Sequence, residues 1–350
     1  MFGGMYMNKF IRLSHYAGMR EDLIQAGGGN SSYKISASDM LIKASGFQMA
    51  DLTEEKGFAR VNYKLIQDAF LNCTDWEQMT EEAGKKLLMQ ATISGPKPSI
   101  ETFLHAITNT YTLHTHSIVS NILMARKDAR KVIEKLFPEA LFVEYATPGI
   151  ELAKAYFKSY LQRGENQSCD MIFLKNHGMV VSAGTAEEVI QKTERMTKVM
   201  EEYLGLTEQM KGYHLVTDIW NCVGSDKIVW KVTDENVMKA YRQFGGTWEH
   251  AFCPDCVVFL AKKAWKVRSL TQEEWKQFCN QFGCPVVIDH EGALYICADS
   301  VKKALETQSV LSFSAQVRSL VPEENCDFLS DEEQNYLLNW DAEKFRQAMK

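Results

Sequence analysis

Short apolar runs alternate with helical patterns through the first two hundred residues, and this alternation restricts the chain to folds in which helices pack against a β-sheet. Runs with the length and composition of strands occur at Tyr33–Ser36, Met40–Lys43, Tyr111–His116, Leu141–Ala146, Met171–Leu174 and Met179–Ser182. Helical patterns occur at residues 8–26, 63–70, 102–108, 118–125, 148–161 and 185–204. The last of these helices has Thr185 as its predicted N-cap. The sequence therefore predicts the α/β fold class.

The regular patterns are lost near residues 206–225, where Gly212 and Gly224 occur. We therefore predict a first domain over residues 1–210 and a smaller α/β domain over residues 211–350. Strands of the second domain are predicted at Val257–Leu260, Pro285–Asp289 and Ala293–Cys297. Its helices are predicted near residues 234–244, 271–281, 299–318 and 330–348.

The composition excludes several classes of function. The chain has 350 residues, enough for about two domains. Its net charge of −6 argues against general nucleic-acid binding, which needs a basic surface. No apolar run reaches the roughly 20 residues that span a bilayer, so no membrane association is expected. The N-terminal residues lack the apolar core of a signal peptide. Nine widely spread cysteines favour reduced thiols and a cytoplasmic location.

Two histidines flank Thr115 and are the most informative residues of the sequence. On a strand, residues i and i+2 project to the same face, so His114 and His116 form half of a potential metal site. His177 lies in a predicted turn before Gly178 and could supply a third imidazole. Three protein ligands with an open position are typical of catalytic zinc. The alternative is that these histidines are satisfied core residues without a ligand role.

Glu101 occurs at the start of the helix that Ser99 is predicted to cap. Such a carboxylate is often only a partner of the helix dipole. Beside a metal it could instead serve as a general base, or as a fourth ligand that the substrate displaces. His105 lies four residues later on the same helix face, and we interpret it as structural support rather than as a ligand.

Two glycine-containing segments could cradle an anion. The first is Gly27–Ser32 between a helix and a strand, and the second is Ala44–Gly46 after the next strand. Glycines permit close approach of the backbone, and exposed N–H groups beside Ser and Asn side chains can bind an anion. The alternative is that both segments are ordinary turns.

The order of these motifs resembles the class II aldolase/adducin family. The matching strings are GGGNSS, KASG, KPSIETFLHA, LHTHS and LKNHG. The sequence is most similar to the aldolase half of bifunctional rhamnulose-1-phosphate aldolase/lactaldehyde dehydrogenase proteins, whose TPDHV segment resembles CPDCVVFL near residue 253. The resemblance implies a three-layer α/β/α sandwich with a central, mainly antiparallel sheet, usually assembled as a homotetramer.

The resemblance also assigns roles to residues. It implies a divalent metal, typically zinc, on His114, His116 and His177. It implies that Glu101 is the catalytic acid/base. The residues that align with the family's phosphate-binding positions are Gly29, Asn30, Ser45, Gly46 and Ser99. Relatives that cleave phosphorylated substrates often carry a second Ser where this chain has Ile100, so the substrate could lack a phosphate.

The activity that this resemblance implies is that of a metal-dependent lyase. Such an aldolase would reversibly cleave a ketose or ketose phosphate through a metal-stabilised enediolate, and its partner would be a small-molecule sugar or sugar phosphate. One alternative is a sugar-phosphate 4-epimerase or a dehydratase of the same family. Another is a non-catalytic, adducin-like module that has kept the fold.

Overall fold

The computed structural model describes residues 2–163, 170–224, 226–245, 250–260, 263–321 and 323–339. The chain divides into two compact units, Met1–Lys211 and Gly212–Lys350. The helix α9, Thr207–Val223, crosses the point of division. Within the described ranges, no helix has both the length and the apolar character needed to cross a membrane.

The first unit is built on one large, mainly antiparallel sheet. Its described strands are β1 Asn30–Lys34, β2 Asp39–Lys43, β3 Phe58–Asn62, β4 Thr92–Ser94, β5 Tyr111–Thr115, β6 Leu141–Val143, β7 Met171–Leu174 and β8 Gly178–Ala183. They are arranged in the order β4-β3-β2-β1-β5-β8-β7-β6. Neighbouring strands pair antiparallel except β6 and β7, which are parallel. The middle of the sheet is therefore formed by β1, β5 and β8, which come from distant parts of the chain.

Helices cover both faces of this sheet. Their bounds are α1 Phe2–Gly18, α2 Tyr63–Leu71, α3 Glu81–Ala91, α4 Thr102–His105, α5 Ile118–Met124, α6 Ala129–Leu136, α7 Ile150–Arg163 and α8 Ala186–Leu204. Helices α1, α5 and α8 pack together on one face, and α2, α4 and α7 pack together on the other. The result is the three-layer α/β/α sandwich that the resemblance of the motifs implies.

Aromatic side chains fill the layer between the sheet and α2, α4 and α7. The ring of Phe70 stacks on Phe157 at 4.4 Å and lies 5.6 Å from the ring of Phe103. All three side chains are buried beneath Ile42 and Val61 of the sheet. Burying one such side chain stabilises the fold by roughly 1.5–3 kcal/mol. This core fixes α4, the short helix at whose start Glu101 lies.

A buried ion network fixes the segment that follows α1. The Arg20 guanidinium donates to both oxygens of Asp22, at 2.7 and 2.6 Å, and to Glu194 Oε1 of α8 at 2.7 Å. The Tyr16 hydroxyl donates to the same Glu194 oxygen. A buried guanidinium needs such partners because an unpaired buried charge is strongly destabilising. The network therefore anchors the chain just before the glycines at 27–29.

The second unit is smaller. Its described strands are β9 Ile228–Lys231, β10 Trp265–Lys266, β11 Val287–His290 and β12 Ala293–Ala298, and they form one sheet in the order β10-β11-β12-β9. Its described helices are α10 Glu235–Phe244, α11 Pro254–Leu260, α12 Gln272–Phe282, α13 Val301–Leu320 and α14 Asp331–Asn339. Helix α13 packs against β9 and β12 and against α10 and α11. Residues 340–348 of the helix predicted at 330–348 lie outside the described residues.

Three element predictions are wrong. The run Val257–Leu260 was expected to be a strand and is the end of helix α11, because Pro254 supplies a helix start and the apolar side chains pack against α13. Residues 206–225 were expected to lack regular structure and contain α9. The first helix ends at Gly18 rather than near residue 26, where the chain turns toward Asp22.

Candidate metal centre

Strand β5 positions the first two histidines at the centre of the sheet. His114 pairs with Asn30 on β1 and with Val180 on β8, and its side chain is fully buried. His116 follows the strand by one residue and projects to the same side. The rings of His114 and His116 are 5.0 Å apart, centroid to centroid. The alternation of a strand therefore brings two imidazoles together, as the sequence predicts.

The tight turn between β7 and β8 positions the third histidine. Asn176 occupies the left-handed region with φ of 53° and allows this turn. The ring of His177 then lies 5.0 Å from that of His114 and 5.1 Å from that of His116. Gly178 is required at the start of β8, because a Cβ atom there would lie 2.2 Å from the carbonyl oxygen of Thr115. The glycine thus lets β8 approach β5 closely enough for the three rings to converge.

The ring nitrogens are arranged as metal ligands would be. One nitrogen from each histidine lies within 4.8 Å of the other two. The Nε2 atoms of His114 and His116 are 3.2 Å apart, and two ligands of a tetrahedral zinc with bonds of about 2.0–2.1 Å would be separated by roughly 3.3 Å. His114 Nδ1 lies 3.0 Å from the carbonyl oxygen of Met179 and donates to it. This hydrogen bond leaves the lone pair on Nε2, the nitrogen that faces the other rings.

Glu101 lies beside the three rings. It precedes helix α4, and its backbone N–H donates to the Ser99 hydroxyl at 3.3 Å. Its Oε1 is 3.0 Å from His177 Nε2, and its Oε2 is 3.4 Å from His114 Nε2. Burial opposes ionisation of this carboxyl, but His114, His177 and His116 outweigh that effect and hold its pKa well below its usual range. Glu101 is therefore a carboxylate at neutral pH.

Burial disfavours the charged forms of His114 and His116. It lowers the pKa of His116 to about 3, with a further contribution from the neighbouring His114 and His177. It also lowers the pKa of His114, although Glu101 opposes the shift. A neutral imidazole has the lone pair that a metal needs. The site thus combines three nitrogen donors with one carboxylate.

A chain of buried hydrogen bonds connects Glu101 to the interior. Asn30 Nδ2 donates to Glu101 Oε2 at 2.6 Å. The other side-chain atom of Asn30, Oδ1, accepts from His105 Nε2. His105 Nδ1 lies 2.7 Å from the Ser32 hydroxyl. The sequence predicts that His105 is a structural residue and not a ligand. In the structure its ring forms hydrogen bonds with Asn30 and Ser32.

The residues that align with phosphate-binding positions lie on neighbouring segments. Ala44 bridges to Pro98, and the Ser45 N–H donates to the Lys97 carbonyl, so the Ser45–Gly46 turn lies beside Ser99. The Ser99 hydroxyl is 3.4 Å from Asn30 Nδ2. Gly29 approaches the sheet so closely that a Cβ there would lie 2.6 Å from the His114 carbonyl oxygen.

Residues 8–204 match the sequence profile of the Class II Aldolase and Adducin N-terminal domain, which is more than half of the chain. The chain belongs to the class II aldolase and adducin family. No protein with a curated description matches it. Among solved structures, it is similar to the N-terminal class II aldolase domain of a conserved protein from Thermoplasma acidophilum, with 25% identity over 56% of this chain and 92% of that chain and a TM-score of 0.49.

Two further solved structures resemble the chain. A sugar-phosphate aldolase from Thermotoga maritima is 15% identical over 60% of this chain and 97% of that chain, with a TM-score of 0.43. An L-fuculose-1-phosphate aldolase from Thermus thermophilus is 19% identical over 64% of this chain and all of the other, with a TM-score of 0.37.

Two residues near the centre of this class II aldolase domain have contacts that the sequence did not predict. Ser32 belongs to the predicted anion-binding segment Gly27–Ser32, but its hydroxyl is buried and contacts His105. Lys43 is buried at the end of β2, and its Nζ donates to the Gly27 carbonyl at 3.2 Å. Burial lowers the pKa of Lys43, and the charge of Glu101 opposes the shift. A lysine that ends the apolar run Met40–Ile42 is the one signal in the sequence that could have identified it.

Proposed function

We propose that this protein is a metal-dependent aldolase that reversibly cleaves a carbon–carbon bond of a ketose or ketose phosphate. The observation that carries the proposal is the convergence of His114, His116 and His177 with the Glu101 carboxylate in a member of the class II aldolase and adducin family. Burying polar side chains destabilises a fold unless they have partners, and here His114 is fully buried while His116, His177 and Glu101 are partly buried. A non-catalytic, adducin-like module has no need of such an arrangement.

The residues present fit a divalent metal. The imidazoles of His114, His116 and His177 would hold it, and imidazole ligands bring no negative charge that would offset the charge of the metal. The hydrogen bond from His114 Nδ1 to the Met179 carbonyl orients that ring in the required tautomer. Nitrogen donors of this kind suit zinc, which is the metal that we propose.

When bound, the metal would act as a Lewis acid that polarises the substrate carbonyl and stabilises the negative charge left by cleavage of the bond. Glu101 would move the proton. Asn30 donates to Oε2, and Oε1 lies 3.0 Å from His177 Nε2. With a metal on His177 Nε2, that nitrogen could not donate to Oε1, and Oε1 would be the oxygen that accepts a proton. In the condensation direction the Glu101 carboxylate would remove a proton from the donor carbon, and the new alkoxide oxygen would take one from solvent. In the cleavage direction the substrate hydroxyl would release its proton to solvent as the carbon–carbon bond breaks, and the Glu101 carboxyl would return a proton to the donor carbon.

The segments around Ser45 and Ser99 would bind the far end of the substrate. Gly29, Asn30, Ser45, Gly46 and Ser99 are the proposed contacts for a phosphate, through hydroxyl and backbone N–H groups. Ile100 supplies no hydroxyl donor here, and its side chain is 44% exposed. We therefore keep both a sugar and a sugar phosphate as substrate classes.

The remaining proposals follow from the resemblance of the motifs. Residues 1–210 would form the catalytic domain and residues 211–350 an additional domain. The protein would assemble as a homotetramer, and it would act in the cytoplasm. Within its family it would be most similar to the aldolase half of the bifunctional rhamnulose-1-phosphate aldolase/lactaldehyde dehydrogenase proteins.

Two variants test the assignment of the metal and the acid/base. His114→Ala is expected to lose the metal and the activity together, because it removes a buried ligand. Glu101→Gln is expected to keep the metal and lose at least about 100-fold in kcat, because it removes the group that moves the proton. Metal content is measured on the purified proteins by elemental analysis. Full activity of a metal-stripped wild-type protein would overturn the mechanism.

Product analysis separates the family chemistries. The protein is incubated with phosphorylated and unphosphorylated ketoses, and the products are resolved by chromatography. Cleavage of the sugar into two smaller carbonyl compounds indicates an aldolase. An epimeric sugar of unchanged mass indicates a 4-epimerase, and a product that has lost one water molecule indicates a dehydratase. A purified protein that binds no metal and forms no product would support the adducin-like alternative. Comparing phosphorylated with unphosphorylated ketoses also tests whether a site with Ile100 in place of a second serine accepts a phosphorylated substrate.

A further inference from the structure

The hydrogen bonds between Ser32, His105, Asn30 and Glu101 form one continuous buried chain. Ser32 and Asn30 are neighbours on the same face of β1, and His105 ends α4. The Ser32, His105 and Asn30 side chains are at most 1% exposed. The distances are 2.7 Å from Ser32 Oγ to His105 Nδ1 and 2.6 Å from Asn30 Nδ2 to Glu101 Oε2. The Ser32, His105 and Asn30 side chains are therefore shielded from bulk water, and only Glu101 at the end of the chain is partly exposed.

The direction of every hydrogen bond in the chain follows from the carboxylate. An ionised carboxylate only accepts, so Asn30 must present its NH2 group to Glu101. Its carbonyl oxygen then faces His105, which must donate through Nε2. A neutral imidazole that donates through Nε2 accepts through Nδ1, so the Ser32 hydroxyl must donate. If any one of these hydrogen bonds ran in the opposite direction, the others would have to reverse as well. The Asn30 amide would then be flipped, with its oxygen facing the carboxylate.

The imidazole is suited to this arrangement because it stays neutral. Burial lowers the pKa of His105 to about 3, and the neighbouring His114 lowers it further than Glu101 raises it. Both ring nitrogens already have partners, which leaves neither for a metal. The Asn30 amide is also fully engaged, so its proposed contact with a phosphate competes with its hold on Glu101.

We propose that His105 is a positioning residue that acts through Asn30 to fix the orientation of the Glu101 carboxylate. This inference rests on the proposed function, in which Glu101 moves the proton. Without the N–H donor of His105, the Asn30 amide can rotate and turn its oxygen toward Glu101. The carboxylate would then lose a hydrogen bond at Oε2 and the orientation that directs Oε1 at the substrate.

The test compares His105→Phe with His105→Gln in the full chain. Phenylalanine keeps the ring but removes both hydrogen bonds, whereas glutamine retains an N–H donor for Asn30. We expect His105→Phe to lower kcat by 10- to 100-fold with KM and metal content near those of the wild type. We expect His105→Gln to lose much less, with a fall in log kcat no more than half of the fall seen in His105→Phe. His15→Phe is the matched control, because His15 is a partly buried histidine whose ring contacts the Leu52 carbonyl instead.

A second readout does not depend on activity. In wild-type protein labelled with 15N-histidine, long-range proton–nitrogen spectra report the tautomer of each ring. We expect the Nε2–H tautomer at His105 and, in Ser32→Ala, partial loss of that preference. An Nδ1–H tautomer in the wild type, or unchanged kcat in a folded His105→Phe protein that retains its metal, overturns the proposal. If the wild type lacks aldolase activity, the proposed function fails while the tautomer still decides the arrangement of the chain.

Discussion

The buried imidazole of His105 makes the stability of the first unit depend on pH. Its pKa is lowered to about 3 in the folded protein, against about 6.5 in an unfolded chain. The unfolded state therefore binds a proton between pH 6.5 and 3 that the folded state does not. The contribution of His105 to the free energy of unfolding is fully present above pH 6.5, and it is lost as the pH falls from 6.5 toward 3. Between pH 6 and pH 5 the loss is about 1 kcal/mol.

His105→Gln is expected to remove this part of the pH dependence. The free energy of unfolding is measured by chemical denaturation of metal-free wild type and variant at pH 6 and pH 5. Because His114 and His116 titrate in both proteins, the difference between them isolates His105. A variant that loses as much stability as the wild type between the two pH values would contradict the assignment.

The sequence identified the residues of the candidate site better than their contacts. The spacing of His114 and His116 on a strand predicts convergence, because alternation on a strand is a local property. The hydrogen bond from Asn30 to Glu101 joins residues 71 positions apart. It depends on β1 lying beside β5 and on α4 packing over the sheet, which no local pattern encodes. The same reason explains why the contacts of Ser32 with His105 and of Lys43 with Gly27 were not predicted.

At the scale of elements, the start of β8 determines how closely the strands approach each other. A Cβ at Gly178 would lie 2.2 Å from the Thr115 carbonyl oxygen. The Thr115 backbone cannot move away from it without disturbing the pairing of β5 with β8. We expect Gly178→Ala to destabilise the protein by roughly 1–3 kcal/mol, the usual cost of overpacking. Because His177 precedes this residue and His116 follows Thr115, metal affinity should fall as well.

Gly184 provides a matched control just beyond the other end of the same strand. A Cβ there would contact the Glu188 side chain at an ordinary 3.5 Å. We expect Gly184→Ala to change stability by less than about 0.5 kcal/mol and to leave metal affinity unchanged. Thermal unfolding and a zinc titration on both variants check the pair. Equal effects at the two glycines would show that close packing at Gly178 does not control the site.

The element predictions succeeded where a local signal was strong. Thr185 caps α8 through a complete capping box with Glu188, as its position before a long periodic segment indicated. The prediction of a strand at Val257–Leu260 was wrong because four apolar residues fit a buried strand and a buried helix equally well. The structure places this run in α11, where contacts with α13 decide the outcome. Such contacts arise from tertiary packing and are not readable from four residues.

At the scale of the whole molecule, each unit has its own sheet and its own buried core. The metal-binding candidates lie on β5 and on the turn between β7 and β8, all in the first unit. A ligand that binds only the folded state stabilises that state by RT ln(1 + [L]/Kd), which is about 2.7 kcal/mol at a hundredfold excess over Kd. Stabilisation by the metal should therefore be concentrated in one unit.

Hydrogen exchange measured by mass spectrometry tests this localisation. One equivalent of zinc is added to metal-stripped protein, and peptides covering β5 and β8 are compared with peptides covering β11 and β12. We expect slower exchange in the first pair, because the metal joins strands that must separate for exchange to occur. We expect little change in the second pair, which serves as an internal control. In His116→Ala the effect on β5 and β8 should disappear, so protection that persists there would place the metal elsewhere in the protein.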